Sequence, residues 1–283
     1  MAPKRERRTK ARRAPPPSTG GGPGSSRAPK MPRAASGRPA SRSVATIIPT
    51  LEFNGSRPEA PGSAMIEAVV FDLDGVIVDS EHVWDAAREA LARARGGHWH
   101  EHAQQDMMGM SSLEWSRYMH DRIGLREPPE EISAEVVHRL ESIYRKKLPL
   151  IDGAPEAVAR VAERWPLAIA SSSNRPLIDL VLELSGLGRY FRATVSSEEV
   201  PRGKPAPDVY VEAAHRLSTE PTRSAAVEDS HNGILSAKAA GMYVVAIPNT
   251  HYPPSEQALV TADVVLRSIS ELAPAIIEPP VVP

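Results

Sequence analysis

The sequence predicts an α/β fold built on a parallel sheet. Four short apolar runs, at 68–71, 167–170, 225–227 and 244–247, lack the alternation of apolar and polar residues that marks a half-exposed strand. Such runs are typical of strands that are buried on both faces of a parallel sheet. Segments with helical periodicity lie between the later runs, and strands that alternate with helices indicate βαβ units.

The predicted helices carry their own start and stop signals. Pro155 occupies the first position of a helix expected to run to about Arg164, where a missing N–H costs nothing. The next apolar face stops at Gly186, a residue type that commonly terminates helices. Two further apolar helical faces lie at 209–217 and 234–239. The order of elements therefore fits the α/β prediction.

One interval, residues 80–150, breaks the alternation. It contains no convincing strand and predicts at least three helices, the first with Trp84 on its apolar face. The second opens with a capping-box pattern, Ser111 to Glu114, and the third is expected to begin near Ser133. An all-helical insert after the first strand would lie above the carboxyl end of that strand, where open α/β sheets bind ligands. Such an insert is placed to act as a lid.

The first 63 residues form a distinct basic segment. They contain thirteen Lys or Arg residues and three acids, a balance of +10, so the remainder carries −11 for a whole-chain charge of −1. The segment is rich in Pro, Gly and Ser and poor in apolar residues, which predicts a disordered arm. It could bind nucleic acid or another polyanion, or be an organelle transit peptide. We favour a dispensable tail or translated upstream sequence, because Met65 directly precedes the first strand.

These patterns predict three parts. They are a disordered basic arm (1–63), an α/β core (65–79 and 151–273) and a helical cap (80–150). Composition adds exclusions: no stretch has the ~20 consecutive apolar residues that a membrane span needs, and no secretory signal is evident. The chain has no cysteine, which excludes disulfides and thiolate metal sites and is consistent with the cytoplasmic location that we expect.

Polar residues follow the predicted strands. Asp72 and Asp74 follow the first strand, and Glu228 and Asp229 follow the strand at 225–227. Four carboxylates in one crevice would repel one another and have raised pKa values unless a cation joined them. A set of oxygen ligands without His or Cys favours a hard ion, and Mg²⁺ fits best. Because Mg²⁺ commonly binds substrate phosphates as well, the sequence points to a phosphorylated ligand.

Four motifs resemble those of the haloacid dehalogenase superfamily, over residues 66–272. They are Asp72-Leu73-Asp74-Gly75-Val76, Ser171 in Ile169-Ala170-Ser171, Lys204 in Gly203-Lys204-Pro205, and Glu228-Asp229-Ser230. The stretch from Asp74 to Glu81 is most similar to the branch of β-phosphoglucomutase, phosphoglycolate phosphatase and sugar-phosphate phosphatases. The resemblance implies a modified Rossmann core with a helical cap inserted after the first strand.

The resemblance also implies a role for each residue. Asp72 would be the nucleophile that forms an aspartyl-phosphate, and Asp74 the general acid and base. Ser171, or Ser172 beside it, and Lys204 would hold the phosphoryl oxygens. The Mg²⁺ ligands would be Asp72, Asp74 through its backbone carbonyl, Glu228 and Asp229. An Asp at position 74 points away from dehalogenation.

The resemblance leaves two reactions open: hydrolysis of a phosphate ester by a phosphatase, and transfer of a phosphate between two positions of a sugar by a phosphomutase. Mutases of this branch grip a second phosphate with a cap Arg and a His, whose places are taken here by Ser112 and Trp84. We therefore expect a Mg²⁺-dependent phosphatase that acts on a small phosphorylated metabolite such as a sugar or polyol phosphate. The alternatives are a β-phosphoglucomutase-like mutase and, from another class, a polyanion-binding protein that acts through the basic arm. Membrane and nucleic-acid partners are not expected.

A cluster of three histidines, His98, His100 and His102, suggests a metal site by its spacing alone. Alternate positions beside glycines are a poor arrangement for ligands on a helix, and no cluster of acids or cysteines supports it. The interpretation that we favour is a solvent-exposed segment of the cap.

Overall fold

The computed structural model describes residues 65–107 and 110–278. The predicted basic arm, residues 1–63, and Gly109 lie outside these ranges. Ten α-helices lie in the described part of the chain: α1 Glu81–Ala94, α2 Ala103–Met107, α3 Ser112–Asp121, α4 Pro129–Lys146, α5 Ala154–Ala162, α6 Arg175–Ser185, α7 Asp208–Arg216, α8 His231–Ala239, α9 Glu256–Thr261 and α10 Pro274–Ile277. Short 3₁₀ helices lie at Leu187–Tyr190, Ser197–Glu199, Pro221–Arg223 and Ile269–Glu271. None of the described helices is long and apolar enough to cross a membrane.

Six parallel strands form one sheet in the order β3-β2-β1-β4-β5-β6. The strands are β1 Ala68–Phe71, β2 Leu167–Ser171, β3 Phe191–Ser196, β4 Ser224–Glu228, β5 Tyr243–Ala246 and β6 Val264–Val265. The predicted α/β fold class is confirmed. The chain order reverses beside β1, so the β1–β4 boundary is the topological switch point where open α/β sheets bind ligands.

The sheet is covered by helices on both faces. Val69 and Phe71 of β1 belong to an apolar layer that includes α5 and α6, whereas Val70 belongs to a second layer that includes α7 and α8. All four residues of β1 are buried, which explains why the strand is apolar without alternation. The three-layer arrangement therefore leaves the carboxyl ends of the central strands as the open edge of the core.

Four helices, α1 to α4, lie within residues 80–150, and this interval contains no strand, as the sequence indicated; a fifth helix, α5, follows it before β2. The capping box is present: the Ser111 N–H donates to Glu114 Oε2 at 2.8 Å, and the Ser111 hydroxyl donates to the same atom at 2.7 Å. The expected start of the third predicted helix near Ser133 is wrong, because α4 begins at Pro129. The predicted helix from Pro155 ends at Ala162, two residues before the expected end.

Candidate active site

The carboxylates after β1 and β4 meet at the switch point. Phe71 is paired with Val227, so that Asp72 and Glu228 leave the sheet at the same level, and the Asp72 N–H donates to the Val227 carbonyl at 3.0 Å. One carboxylate oxygen from each of Asp72, Glu228 and Asp229 lies within 4.8 Å of the others, and all three residues are buried. Strand register thus brings together three of the four predicted acids.

Lys204 lies between two of these carboxylates. Its Nζ is 2.9 Å from Asp72 Oδ1 and 2.6 Å from Glu228 Oε1, and all three side chains are almost fully buried. Burial alone would lower the pKa of Lys204, but the charges of Asp72 and Glu228 raise it above its usual value. Lys204 is therefore a buried cation that is held between Asp72 and Glu228.

Glu228 is held by many donors. Its Oε1 accepts from Lys204 and from the Tyr210 hydroxyl at 2.7 Å. Its Oε2 accepts from the backbone N–H groups of Asp229 and Ser230 at 3.0 and 3.1 Å, and from the Ser230 hydroxyl at 3.1 Å. A side chain on Gly233 would lie 1.8 Å from Glu228 Oε1. The glycine after the fourth motif therefore keeps room for this carboxylate at the start of α8.

Asp229 faces the turn that follows β1. Asn249 Nδ2 donates to its Oδ2 at 3.2 Å. Gly75 has a φ of +77°, and a Cβ on it would lie 1.8 Å from the same oxygen. The turn after Asp74 therefore requires glycine both for its backbone conformation and for the close approach of Asp229.

The Asp74 carboxylate lies apart from the other three and is held by hydrogen-bond donors. The Ser80 hydroxyl donates to its Oδ1 at 2.6 Å, and the Trp84 indole N–H donates to the same atom at 3.4 Å. On the other oxygen, Oδ2 accepts from Ser173 at 2.7 Å and from Ser171 at 3.3 Å. Asp74 thus links the start of the helical insert to the loop after β2, and its side chain faces the same cavity as Asp72.

The three serines after β2 have different surroundings. The Ser171 hydroxyl is fully buried, donates to Asp74 and accepts from the Ser173 N–H at 2.9 Å. Ser172 and Ser173 line the cavity. The Ser172 hydroxyl is buried and has no hydrogen-bond partner among the described residues, and Ser172 lines the same cavity as Asp72 and Lys204. Both serines named from the sequence remain predictions for phosphate binding.

The site has an excess of negative charge. Burial raises the pKa of Asp72 to about 8; Lys204 opposes this shift, whereas Glu228 and Asp74 add to it. Burial, followed by the charges of Glu228 and Asp72, also raises the pKa of Asp229 well above its usual range. A divalent cation would relieve this repulsion, and a set of carboxylate oxygens without nitrogen or sulfur suits Mg²⁺. The residues present therefore fit the predicted ion.

A cavity of about 690 Å³ opens above these residues. The core contributes the carboxylates of Asp72, Asp74 and Asp229 and the loop with Tyr252 and Pro253, and the helical insert contributes Trp84, Arg88 and Trp115. The volume is in the range of sites for small molecules. The cavity therefore joins the helical insert to the strand ends.

Sequence reasoning missed several residues of the site: Ser80, Ser173, Tyr210 and Asn249. Asn249 had a signal, because it follows the strand at 243–246 and lies at the same sheet edge as Asp229. Tyr210 lies on α7, where an aromatic residue on a buried face looks like packing.

The three histidines do not converge: His100 Nε2 is 2.9 Å from the Tyr118 hydroxyl, and the one potential metal group in the described ranges is that of Asp72, Glu228 and Asp229.

Comparisons with known proteins identify the family of this chain. The family model described as haloacid dehalogenase-like hydrolase matches residues 66–241. Hexitol phosphatase B from Escherichia coli K12 is 32% identical over 226 residues, which cover 73% of this chain and 94% of that protein. CbbY from Rhodobacter sphaeroides in complex with phosphate superposes with a TM-score of 0.68 at 25% identity, covering 75% of this chain and 99% of that one.

A putative β-phosphoglucomutase from Thermotoga maritima superposes with a TM-score of 0.58 at 26% identity, covering 75% of this chain and 98% of that one. The four predicted motifs, the parallel sheet and these relatives agree with one another. The chain belongs to the haloacid dehalogenase-like hydrolases, in the branch of β-phosphoglucomutase and sugar-phosphate phosphatases, and is a phosphoric monoester hydrolase.

Proposed function

We propose that this protein is a Mg²⁺-dependent phosphatase that hydrolyses a small sugar or polyol phosphate through an aspartyl-phosphate on Asp72. The observation that carries the proposal is the position of Asp72: its carboxylate faces the cavity, 2.9 Å from the buried Lys204 ammonium and beside two further carboxylates. The similarity to hexitol phosphatase B supports the substrate class.

The metal would be held by Asp72 and Asp229, by Glu228 directly or through water, and by the backbone carbonyl of Asp74. When bound, Mg²⁺ would neutralise negative charge on the phosphoryl oxygens and on Asp72. Glu228 already accepts five hydrogen bonds from protein groups, so it also orients Lys204.

Asp72 acts as the nucleophile. Its free carboxylate oxygen attacks phosphorus while the bond from phosphorus to the leaving oxygen breaks, which leaves the phosphoryl group on Asp72. Asp74 gives its proton to the leaving oxygen, so that the alcohol departs neutral. Asp74 then takes a proton from water, the water oxygen attacks phosphorus, and the bond to Asp72 breaks to release inorganic phosphate. Lys204 and Ser172 stabilise the phosphoryl oxygens in both steps.

The helical insert (80–150) acts as a cap in this proposal. Its first residues include Ser80 and Trp84, which hold Asp74, and its helices supply one wall of the cavity. A cap over the strand ends would exclude water from the first step and select the leaving group. The mutase alternative is less favoured, since Ser112 and Trp84 occupy the places where such a mutase has phosphate-gripping residues.

The test is phosphate release from hexitol 6-phosphates, hexose 1-phosphates and hexose 6-phosphates, with Mg²⁺ or EDTA. We expect metal-dependent turnover in the wild type and a loss of at least about 1,000-fold in Asp72→Asn, which removes the nucleophile. Asp152→Asn, at an exposed position, is the matched control and should keep wild-type activity.

The outcomes separate the alternatives. Conversion of a hexose 1-phosphate into hexose 6-phosphate without net phosphate release would establish a mutase instead. Full activity in Asp72→Asn would show that another residue is the nucleophile.

A further inference from the structure

Arg88 is a buried cation in the wall of the cavity. It lies on α1, is 6% exposed and contacts two indole rings, with Cζ 4.6 Å from the centre of Trp84 and 4.8 Å from that of Trp115. Cation–π contacts of this kind fix the plane of a guanidinium group and offset part of its desolvation. The side chain is thus held in one place rather than free to reach solvent.

The hydrogen-bonding capacity of Arg88 is largely unused. Its Nη1 donates to Gln104 Oε1 at 3.2 Å, whereas its Nε is buried and has no partner among the described residues. Within the described ranges no carboxylate oxygen lies within 4.0 Å of the guanidinium group. Arginine has five N–H donors in a planar fork, and a buried charge is normally paired with an opposite one. Asp85 and Asp74 act on this charge from a greater distance, but neither forms an ion pair with it.

Arg88 lines the same cavity as Asp72 and Lys204. Trp84 contacts both Asp74 and Arg88: its N–H donates to the Asp74 carboxylate, and its ring contacts the guanidinium group. The indole of Trp84 therefore lies between the charge of Arg88 and Asp74, the proposed general acid. A small substrate with its phosphoryl group at Asp72 would point its other end at the cap, where Arg88 lies.

We propose that Arg88 binds a second oxyanion of the substrate, a carboxylate or a second phosphate, at the end remote from the phosphoryl group that Asp72 receives. This inference rests on the proposed function and narrows its substrate class. A guanidinium fork matches the two oxygens of a carboxylate or phosphate, and charge-assisted hydrogen bonds of this kind are about twice as strong as neutral ones. A neutral hydroxyl group would leave the buried charge unpaired.

The ionisation of neighbouring groups is compatible with this assignment. Burial lowers the pKa of Arg88 to about 10, so the side chain is protonated at neutral pH. Glu81 lines the same cavity, and its burial, with the charges of Asp74 and Asp79, raises its pKa to about 7. A carboxyl group that is partly protonated near neutral pH repels an incoming oxyanion less than a fully charged one.

The experiment compares three substrates that share a phosphorylated six-carbon chain: a hexitol 6-phosphate with a neutral end, 6-phosphogluconate with a carboxylate, and a hexose 1,6-bisphosphate with a second phosphate. We expect the wild type to have a higher kcat/KM for one of the two substrates with an anionic end than for the hexitol phosphate, and the better of the two identifies the oxyanion. Arg88→Gln should lower that kcat/KM about 100-fold, mainly through KM, and change the hexitol phosphate less than about threefold.

Two further variants separate recognition from packing. Arg93→Gln, on the exposed side of the same helix where Arg93 pairs with Glu89, is the matched control and should leave all three substrates unchanged. Arg88→Lys keeps the positive charge but lacks the planar fork of N–H donors, so its kcat/KM for the preferred acidic substrate should lie between those of Arg88→Gln and the wild type. If Arg88→Gln does not fold, Arg88→Lys takes its place in the comparison of the three substrates. A loss in Arg88→Gln that is equal for all three substrates would overturn the proposal, because a structural role predicts that result.

The inference and the proposed function can fail separately. Turnover of the hexitol phosphate that is equal to or better than that of both acidic substrates would overturn the role of Arg88 and leave the phosphatase intact. If none of the three is hydrolysed, the proposed function fails, and calorimetric titration of wild type and Arg88→Gln with 6-phosphogluconate and the bisphosphate decides the inference. Binding that is at least about tenfold weaker in the variant supports it, and equal binding overturns it.

Discussion

Gly75 shows how closely the two halves of the active site approach each other. Its φ of +77° is unfavourable for any residue with a side chain, and a Cβ would lie 1.8 Å from Asp229 Oδ2. Gly124, between α3 and α4, has a similar φ of +84° but no atom near the place of a Cβ. A side chain at Gly124 would thus cause backbone strain alone, whereas a side chain at Gly75 would cause both backbone strain and a steric clash with Asp229.

Gly75→Ala should therefore weaken metal binding as well as stability. We expect the Mg²⁺ concentration for half-maximal phosphate release to rise at least about tenfold, because Asp229 must move. Gly124→Ala should cost about 1 kcal/mol of stability from the left-handed backbone alone and leave the Mg²⁺ dependence unchanged. Titration of activity with Mg²⁺ and thermal unfolding of both variants check this. An unchanged Mg²⁺ dependence in Gly75→Ala would show that Asp229 does not bind the metal.

At the same scale, strand ends were easier to predict than side-chain directions. The positions of Asp72 and Glu228 follow from apolar runs that end at the same sheet edge. Which of the serines 171, 172 and 173 faces the cavity depends on the loop backbone, and three identical residues carry no signal for it. The partly unsatisfied charge of Arg88 was likewise invisible, because an Arg between apolar positions of a helix looks solvent-exposed.

At the scale of elements, the strands missed by sequence reasoning are those at the sheet edges. β3 carries Arg192 and Thr194 among its apolar residues and has one unpaired side, so it needs no continuous apolar run. β6 has only two residues. The early start of α4 did have a signal, since Pro129 stands at its first position. The central strands were predictable because burial on both faces restricts their composition.

Glu199 ties three elements together at the end of β3. Its carboxylate accepts from the Ser196 N–H at 3.0 Å and pairs with Arg216 of α7 at 2.9 Å and with Arg175 of α6. Burial alone would raise the pKa of Glu199, but the Ser196 N–H and the two arginines lower it below its ordinary 4.5. The ionised form is therefore favoured in the native state.

Glu199→Gln should be less stable than the wild type by about 1 kcal/mol at pH 7, as expected for a partly exposed ion pair with a backbone hydrogen bond. Because folding lowers the pKa of Glu199, this contribution to stability is complete above pH 4.5, the ordinary pKa of the group. It is lost as the pH falls through the pKa that Glu199 has in the folded protein. Urea unfolding at pH 7 and at pH 3.5 measures the difference. Glu183→Gln, at an exposed site of α6, is the control. A difference between Glu199→Gln and wild type that stays constant with pH would rule out the ion-pair explanation.

At the scale of the whole molecule, the sheet order explains why chemistry concentrates at one place. β1 and β4 are adjacent in the middle of the sheet although about 150 residues separate them in the chain. The proposed nucleophile and metal ligands therefore come from distant segments of the chain, and the insert between β1 and β2 lines the cavity above them. Charges gathered there act on the stability of the whole fold, since β1 and β4 are its central strands.

Magnesium should consequently stabilise the protein against unfolding, and Asp229→Asn should reverse the order of stabilities. Without metal, the variant should unfold at a higher temperature than the wild type, because it removes a carboxylate repelled by Glu228 and Asp72. With Mg²⁺ at about 100 times its Kd, the wild type should gain about 2.7 kcal/mol, because the ion binds only the folded state, and become the more stable protein. Thermal unfolding of both proteins in EDTA and in excess Mg²⁺ tests this crossing, with Asp179→Asn on the surface of α6 as the control. An Asp229→Asn variant that gains as much from Mg²⁺ as the wild type would place the ion on other ligands.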